Sequence, residues 1–401
     1  MLYKLIPFAV IIVGIIGCGD NKTKLIPGDY ALVFHVKEID IPIDLVVTDS
    51  VWYLHNSTET IKITPTWPTS DSFHIVMPLF QTTLAGRLLS NTTMKGHWID
   101  HTRSQSNSTP FDITPNHSAF PTNHTAPTST KWDCTFSPNS IKDKSRAIGL
   151  FNVSGNHIEG TFITETGDYR YLSGETTGQS FHLSCFDGTH LFYFCANIEN
   201  DSLTHGRFLS GNTWDEEWEG HLDPQAELRD PDSLTTMKEF GKLSFSAIDL
   251  QGQYVTFDST SFQNKVTIVQ IFGSWCPNCT DESKFFHELY ETHKHENFQI
   301  IPVAFEREAS QATQLQRIGQ QFKELGLSYN PYLGGYSPKS KAEETFPQLN
   351  RIFSYPTAIF IDKKSQVRKI HTGFYGPGTG KYYEHHTEQL RMFVDQLIKE
   401  N

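Results

Sequence analysis

The chain has 401 residues, and at roughly 150 residues per domain that length points to two or three domains. Hydrophobic residues make up 37% and charged residues 19%, a balance that excludes a disordered or collagen-like chain. The net charge of −12 excludes the basic face of a dedicated nucleic-acid binder, and six cysteines are too few for a disulfide scaffold, so each is read for its chemistry.

Met1 to Gly17 reads MLYKLIPFAVIIVGIIG, with Lys4 ahead of an apolar run from Leu5 to Ile16. That run is short for a mature membrane-spanning helix. It ends Ile15-Ile16-Gly17-Cys18 and passes into the polar Gly19-Asp20-Asn21-Lys22. These residues resemble a bacterial lipoprotein signal peptide, 1–17, with its lipobox. The resemblance implies cleavage before Cys18, a diacylglycerol on its sulfur, and a body tethered to the periplasmic side of a bacterial membrane. An ordinary secretory signal with a chance cysteine is the alternative, and it too would take the chain out of the cytoplasm. No second apolar stretch of spanning length follows.

Residues 25–222 alternate short β-branched and aromatic runs with turn residues, and 29 phenylalanines in the chain favour strands. Ser180–Cys185 and His190–Phe194 flank Phe186-Asp187-Gly188-Thr189, a hairpin signal. A weak internal echo joins Gly86–Trp98 to Gly206–Leu222, with a thinner copy at Asn156–Phe162. The pattern predicts a meander of hairpins, hence an all-β sandwich or barrel. Within it, Ser, Thr, Asn and Pro supply 19 of the 29 residues from Thr102 to Thr130, which reads as loop. His97, His101, His117 and His124 lie nearby, but their spacing fits no ligand pair, so no metal site is assigned. Cys134, Cys185 and Cys195 allow at most one pair among themselves and read as a structural disulfide or buried thiols.

Residues 223–238 open on Asp223-Pro224 and carry Asp230-Pro231-Asp232, a linker composition. From 239 to 401 strands and helices alternate. Val266–Phe272 is a continuous apolar run, as a buried parallel strand is. Asp281–His293 is predicted helical, Gln299–Phe305 a strand, Gln311–Leu325 a helix stopped by Gly326, Thr357–Ile361 a strand, and Leu390–Ile398 an amphipathic helix. The fold class is therefore two-domain: an all-β body followed by an α/β sheet domain.

The strand Val266–Phe272 runs into Gly273-Ser274-Trp275-Cys276-Pro277-Asn278-Cys279. A C-x-x-C pair at a strand-to-helix junction puts its first sulfur at a helix N-terminus, where unpaired N–H groups favour the thiolate. The second sulfur, one turn on, is placed to attack a mixed disulfide. Trp275 is expected to shield one side. Farther on, Ser354-Tyr355-Pro356-Thr357 leads into an apolar strand. Half of a zinc site is the competing reading of the cysteines, but no second C-x-x-C or C-x-x-H follows.

Together with the hairpin Phe245–Phe257 and Glu282, these motifs resemble the TlpA/ResA-type thioredoxin-like proteins over residues 239–401. The resemblance implies a thioredoxin-like α/β domain with Cys276 and Cys279 as its redox-active disulfide. It also implies a cis Pro356 that presents Tyr355 to substrate, with Trp275 beside them, and Glu282 as a catalytic proton carrier. The family commonly has Pro two residues after that Glu; here stands Lys284, which puts the helix beyond its first turn in doubt. Glu306 reads as a strand-end charge. The resulting expectation is a lipid-anchored thiol–disulfide oxidoreductase that reduces disulfides of periplasmic proteins and is re-reduced by a membrane electron donor. No cofactor is called for, since no NADPH-binding segment is visible. The alternatives are a ligand- or partner-binding lipoprotein with a redox-sensing domain, and a thiol peroxidase, whose Pro/Thr-containing turn the W-C-P-N-C context lacks.

Overall fold

The computed structural model describes residues 24–103, 105, 107–116, 128–307 and 310–400. The signal segment, Cys18, His117 and His124 lie outside the described residues. Among those described, no helix is long and apolar enough to cross a membrane.

Alternation of buried and exposed side chains builds two antiparallel sheets from the first half of the chain. The first has eight strands, from Gly28–Val36 to Ser108–Pro115, which pair with each other. It stays open between Glu59–Ile63 and Ser72–Val76, its two edge strands. The second sheet closes. Thr128–Phe136 pairs with Ser145–Ser154 on one side and Trp214–Leu222 on the other, and Ser145–Ser154 also pairs with His157–Thr164. The result is a barrel, filled by Phe136, Phe162, Phe194, Phe208 and Trp218 in edge-to-face and stacked contacts. Closure removes the unpaired edge that an open sheet leaves.

Two sequence readings change here. The stretch from Thr102 to Thr130 is not all loop: Ser108–Pro115 is a strand between Gly28–Val36 and Thr93–Asp100. Its Phe111 and Ile113 are buried, and pairing on both sides orders a segment whose composition alone could not. The internal echo falls on one hairpin of each sheet, Thr82–Ser90 with Thr93–Asp100 and Ser202–Ser210 with Trp214–Leu222. These hairpins hold different places in the two strand orders, so the echo marks a shared hairpin pattern.

The second half forms a seven-stranded sheet: β1 (Phe245–Ile248), β2 (Tyr254–Phe257), β3 (Val266–Phe272), β4 (Phe298–Glu306), β5 (Tyr332–Tyr336), β6 (Thr357–Ile361) and β7 (Val367–Thr372), in the order β2-β1-β5-β4-β3-β6-β7. Its helices are α1 (Ser259–Phe262), α2 (Pro277–His293), α3 (Gln311–Leu325), α4 (Lys339–Thr345) and α5 (Lys381–Lys399). β3 runs parallel to β4 and antiparallel to β6. Every residue of β3 and β6 is buried, as strands covered on both faces must be. Phe285 and Phe286 of α2, Phe322 of α3 and Val394 of α5 join that core. α2 continues unbroken through Lys284 to His293, so the missing proline leaves the helix intact. α3 ends where Gly326 takes a left-handed φ of 67° and donates to Lys323 O, as a C-terminal glycine does.

The segment read as a linker, 223–238, is packed rather than free. Ala226 joins Ile148 and Ile163 in a small apolar cluster with Tyr375 and Tyr382 of the second domain. Leu234 and Thr235 are buried, and Thr236 N donates to Asn350 Oδ1 at 2.9 Å. Asp232 accepts from His371 Nδ1 at 2.7 Å and pairs with Lys369 at 2.8 Å. The partners in the second domain stand more than a hundred residues away in sequence, which is why composition suggested a tether. We predict that a fragment of residues 230–401 is more stable than one of 239–401 by about 2 kcal/mol, the value of burying Leu234 alone. Denaturant titration of the two fragments checks this, and equal midpoints would return the segment to the status of a tether.

Candidate active site

β3, buried throughout, ends at Phe272, and the chain must turn out of the sheet before α2 begins. Gly273 permits the turn: a Cβ there would lie 2.4 Å from Trp275 Nε1. The Trp275 indole folds back over the glycine and donates to Phe305 O at 2.9 Å. Ser274 donates through N and Oγ to the two oxygens of Glu306, at 2.8 and 2.6 Å. From α3, Gln321 Nε2 donates to Ser274 O at 2.8 Å. Glu306 is thus a fully buried support of the turn and not a strand-end charge.

Cys276 is the N-cap of α2, with extended backbone, and its Sγ accepts from Cys279 N at 3.2 Å. A sulfur here does what a serine or aspartate oxygen does at most helix starts. Pro277 occupies the first turn, where its missing N–H costs nothing. Cys276 and Cys279 are joined by a disulfide; Cys276 keeps 7% of its surface exposed and Cys279 none. The Tyr355–Pro356 peptide is cis, and Tyr355 O lies 3.9 Å from Cys276 Sγ. Trp275 meets Tyr355 edge to face at 5.7 Å, and the Arg307 guanidinium lies 3.8 Å from the Trp275 ring centre. Trp275, Cys276, Cys279, Tyr355 and Pro356 therefore come together at the C-terminal end of β3.

Glu282 is wholly buried on α2. Its Oε2 accepts from Gln270 Nε2 at 2.8 Å, while Oε1 has no partner. Burial pushes its pKa up to about 8, against the opposing effect of the Gln270 hydrogen bond. Gln270 lies in the middle of β3 and its Nε2 also reaches Cys279 O at 3.5 Å and Ser283 Oγ at 3.0 Å. One buried amide thus links the second cysteine's turn to the carboxyl. Sequence reading missed Gln270, Glu306 and Gln321. An amide side chain inside the otherwise largely apolar run of β3 was the one available signal, and it pointed to Gln270.

Among the described residues the other three cysteines are free: Cys134 and Cys185 are buried and Cys195 is half-buried. Burial pushes the Cys134 thiol up to about 12 and raises Cys185 and Cys195 as well, which keeps them unreactive. Among the described residues, Asp133, His221 and Asp223 bring ligand atoms within 4.8 Å of one another on the barrel. Asp133 is already held there by Arg146, at 3.2 and 2.6 Å.

Residues 236–384 match the Redoxin family model. The C-terminal domain is a Redoxin domain. With the Cys276–Cys279 pair at the end of its central strand, it is of the thioredoxin-like oxidoreductase type. The chain is similar to a thiol:disulfide interchange protein of the thioredoxin family from Chlorobium tepidum TLS, with 19% identity over 43% of this chain and 99% of that one, at a TM-score of 0.29. It is also similar to the thioredoxin domain of a thiol-disulfide oxidoreductase from Bacteroides vulgatus, with 18% identity over 40% of this chain and 98% of that one, at a TM-score of 0.29.

The raised pKa of Glu282 fixes the sign of a stability effect. Between the ordinary value of 4.5 and about 8 the folded state holds a proton that the unfolded state releases. Stability must therefore fall as pH rises through that window. Glu282→Gln removes the dependence. The variant should gain on the wild type from pH 5 to pH 8, by on the order of 4 kcal/mol at the upper end, and the difference should level off above. Denaturant unfolding of both oxidised proteins across this range checks it; a difference that does not change with pH would mean that Glu282 is ionised throughout.

Proposed function

We propose that this protein is a membrane-anchored, extracytoplasmic thiol–disulfide oxidoreductase that reduces disulfides of periplasmic proteins. The observation that carries the reading is the Cys276 sulfur at the start of α2, with Cys279 shut behind it. In the reduced protein, the N–H groups of the first turn favour a thiolate on Cys276. That thiolate attacks one sulfur of a substrate disulfide. A Cys276–substrate bond forms, and the other substrate sulfur leaves as a thiolate and takes a proton from solvent. Cys279, deprotonated, then attacks Cys276 Sγ, and the second substrate sulfur is released and protonated. Two electrons pass from the enzyme dithiol to the substrate, and the Cys276–Cys279 disulfide remains.

Glu282 accounts for the proton on the buried side of this exchange. A carboxyl with its pKa near 8 can take the Cys279 proton near neutrality and give it back. Trp275, Tyr355 and Pro356 form the wall along which the substrate strand lies, pairing through backbone as an added strand does. The lipobox at Ile15–Cys18 supports the anchor on Cys18, and re-reduction falls to a membrane dithiol donor. The chemistry uses no cofactor.

Insulin reduction driven by dithiothreitol tests the catalytic claim. The full chain should shorten the lag to turbidity, and Cys276→Ser should return it to the uncatalysed value. In the reduced protein, limiting iodoacetamide at neutral pH should label Cys276 well ahead of Cys279. Equal labelling, or an active Cys276→Ser protein, would contradict the roles assigned.

A further inference from the structure

The barrel reaches the redox site. His157–Thr164 turns at Glu165-Thr166 and pairs back through Gly167–Asp168, Thr164 opposite Gly167 and Ile163 opposite Asp168. This turn touches three walls of the site. At the first, Asp168 Oδ2 accepts from Nδ2 of Asn278, the residue before Cys279, at 3.3 Å. Gly167 packs so close that a Cβ on it would lie 2.2 Å from that same Nδ2. At the second, Ser354 Oγ, just ahead of Tyr355-Pro356, donates to Thr166 O at 3.5 Å. At the third, the chain after β7, Gly376 N donates to Asp168 Oδ2 at 2.6 Å, and a Cβ on Gly373 would stand 3.1 Å from Thr166 C.

A buried ion cluster holds the turn down. Asp168 Oδ1 accepts from Arg170 N at 2.7 Å, and the Arg170 side chain pairs with Asp281 of α2 and with Glu59 at 2.8 Å. Asp281 is one residue from Glu282 and two from Cys279. The ion pair therefore ties the β-rich domain to the helix that carries the cysteines. Under the closed turn Cys276 keeps 7% of its surface. A substrate strand beside Tyr355 and Pro356 would need the space that Thr166 and Gly167 fill.

We infer that the Glu165–Asp168 turn is a lid built into the chain, which occupies the substrate groove and must lift before a protein disulfide can meet Cys276. The inference rests on the reading of Cys276 as the attacking thiol. It gives the β-rich domain a role in the reaction: the lid sets how readily the cysteine is reached, and only a disulfide on a segment able to displace it reacts.

The test compares wild type, Gly167→Ala, Asp168→Ala and Gly178→Ala as full chains. Gly167 has φ 144° and no room for a methyl group, so the substitution strains the closed position. Asp168→Ala removes the polar ties to Asn278 and Gly376 without adding bulk, and it carries the test if Gly167→Ala fails to fold. Gly178 also has a positive φ, 83°, but it sits on a barrel turn with nothing within 4 Å of a built Cβ, so it controls for general loosening. The reading is the rate constant of iodoacetamide alkylation at Cys276 in reduced protein, by peptide mass spectrometry. The lid predicts a rise of about tenfold for Gly167→Ala and Asp168→Ala, as a larger open fraction gives, and no change for Gly178→Ala. Unchanged or slower alkylation in both lid variants, or an equal rise in the control, overturns it. Insulin reduction on the same samples separates the two claims. Wild type that reduces insulin with no rise in the variants' alkylation sinks the lid alone. Faster alkylation with no insulin reduction by any of the four proteins sinks the oxidoreductase reading alone.

Discussion

The hydrogen bond from Cys279 N to Cys276 Sγ is the interaction on which the site depends. A helix start leaves N–H groups without partners, and a sulfur placed to accept one of them is also placed to be held as an anion. The rest of the local structure secures that one position. Buried β3 fixes the direction from which the chain arrives, Gly273 and Trp275 shape the turn, and Glu306 and Gln321 hold its backbone from β4 and α3. Since Ser274 is buried and gives both its N–H and its hydroxyl to Glu306, removing that carboxylate would leave buried donors unsatisfied, a cost of about 1–3 kcal/mol or more.

The second domain was legible in the sequence where its signals are local. The W-C-P-N-C run, the Tyr355-Pro356 pair, the hairpin from Phe245 and the period of α3 each declare themselves within a dozen residues. The short α4 and the strand β5, with two glycines in five residues, carry too little periodicity to be read. The first domain showed its hairpins but not its closure, because barrel and open sheet share the same alternation within a strand. What separates them is pairing between Thr128–Phe136 and Trp214–Leu222, which lie far apart in the chain.

The site was legible in the same uneven way. Its cysteines and proline form motifs; its supports do not. Gln270, Glu306, Asp168 and Arg170 are polar residues whose meaning comes from what faces them after folding. Arg170 is the plainest case: nothing near it in sequence explains a buried guanidinium, and Glu59 and Asp281 each stand 111 residues away. Burying a charge is tolerable only with partners of this kind, and removing one partner strands the others. The two domains are for this reason one chemical object at the redox site, joined by an ion cluster and by the packing of Ala226 with Tyr375 and Tyr382.

The central claim is that Cys276 and Cys279 are a working dithiol and not a structural cross-link. The reduction potential of the pair, by equilibration with glutathione or dithiothreitol buffers and quantitation of the alkylated dithiol, tests this most directly. The account predicts one two-electron transition within the span of thioredoxin-like enzymes, roughly −120 to −270 mV. A midpoint below about −300 mV, where structural disulfides lie, would contradict it.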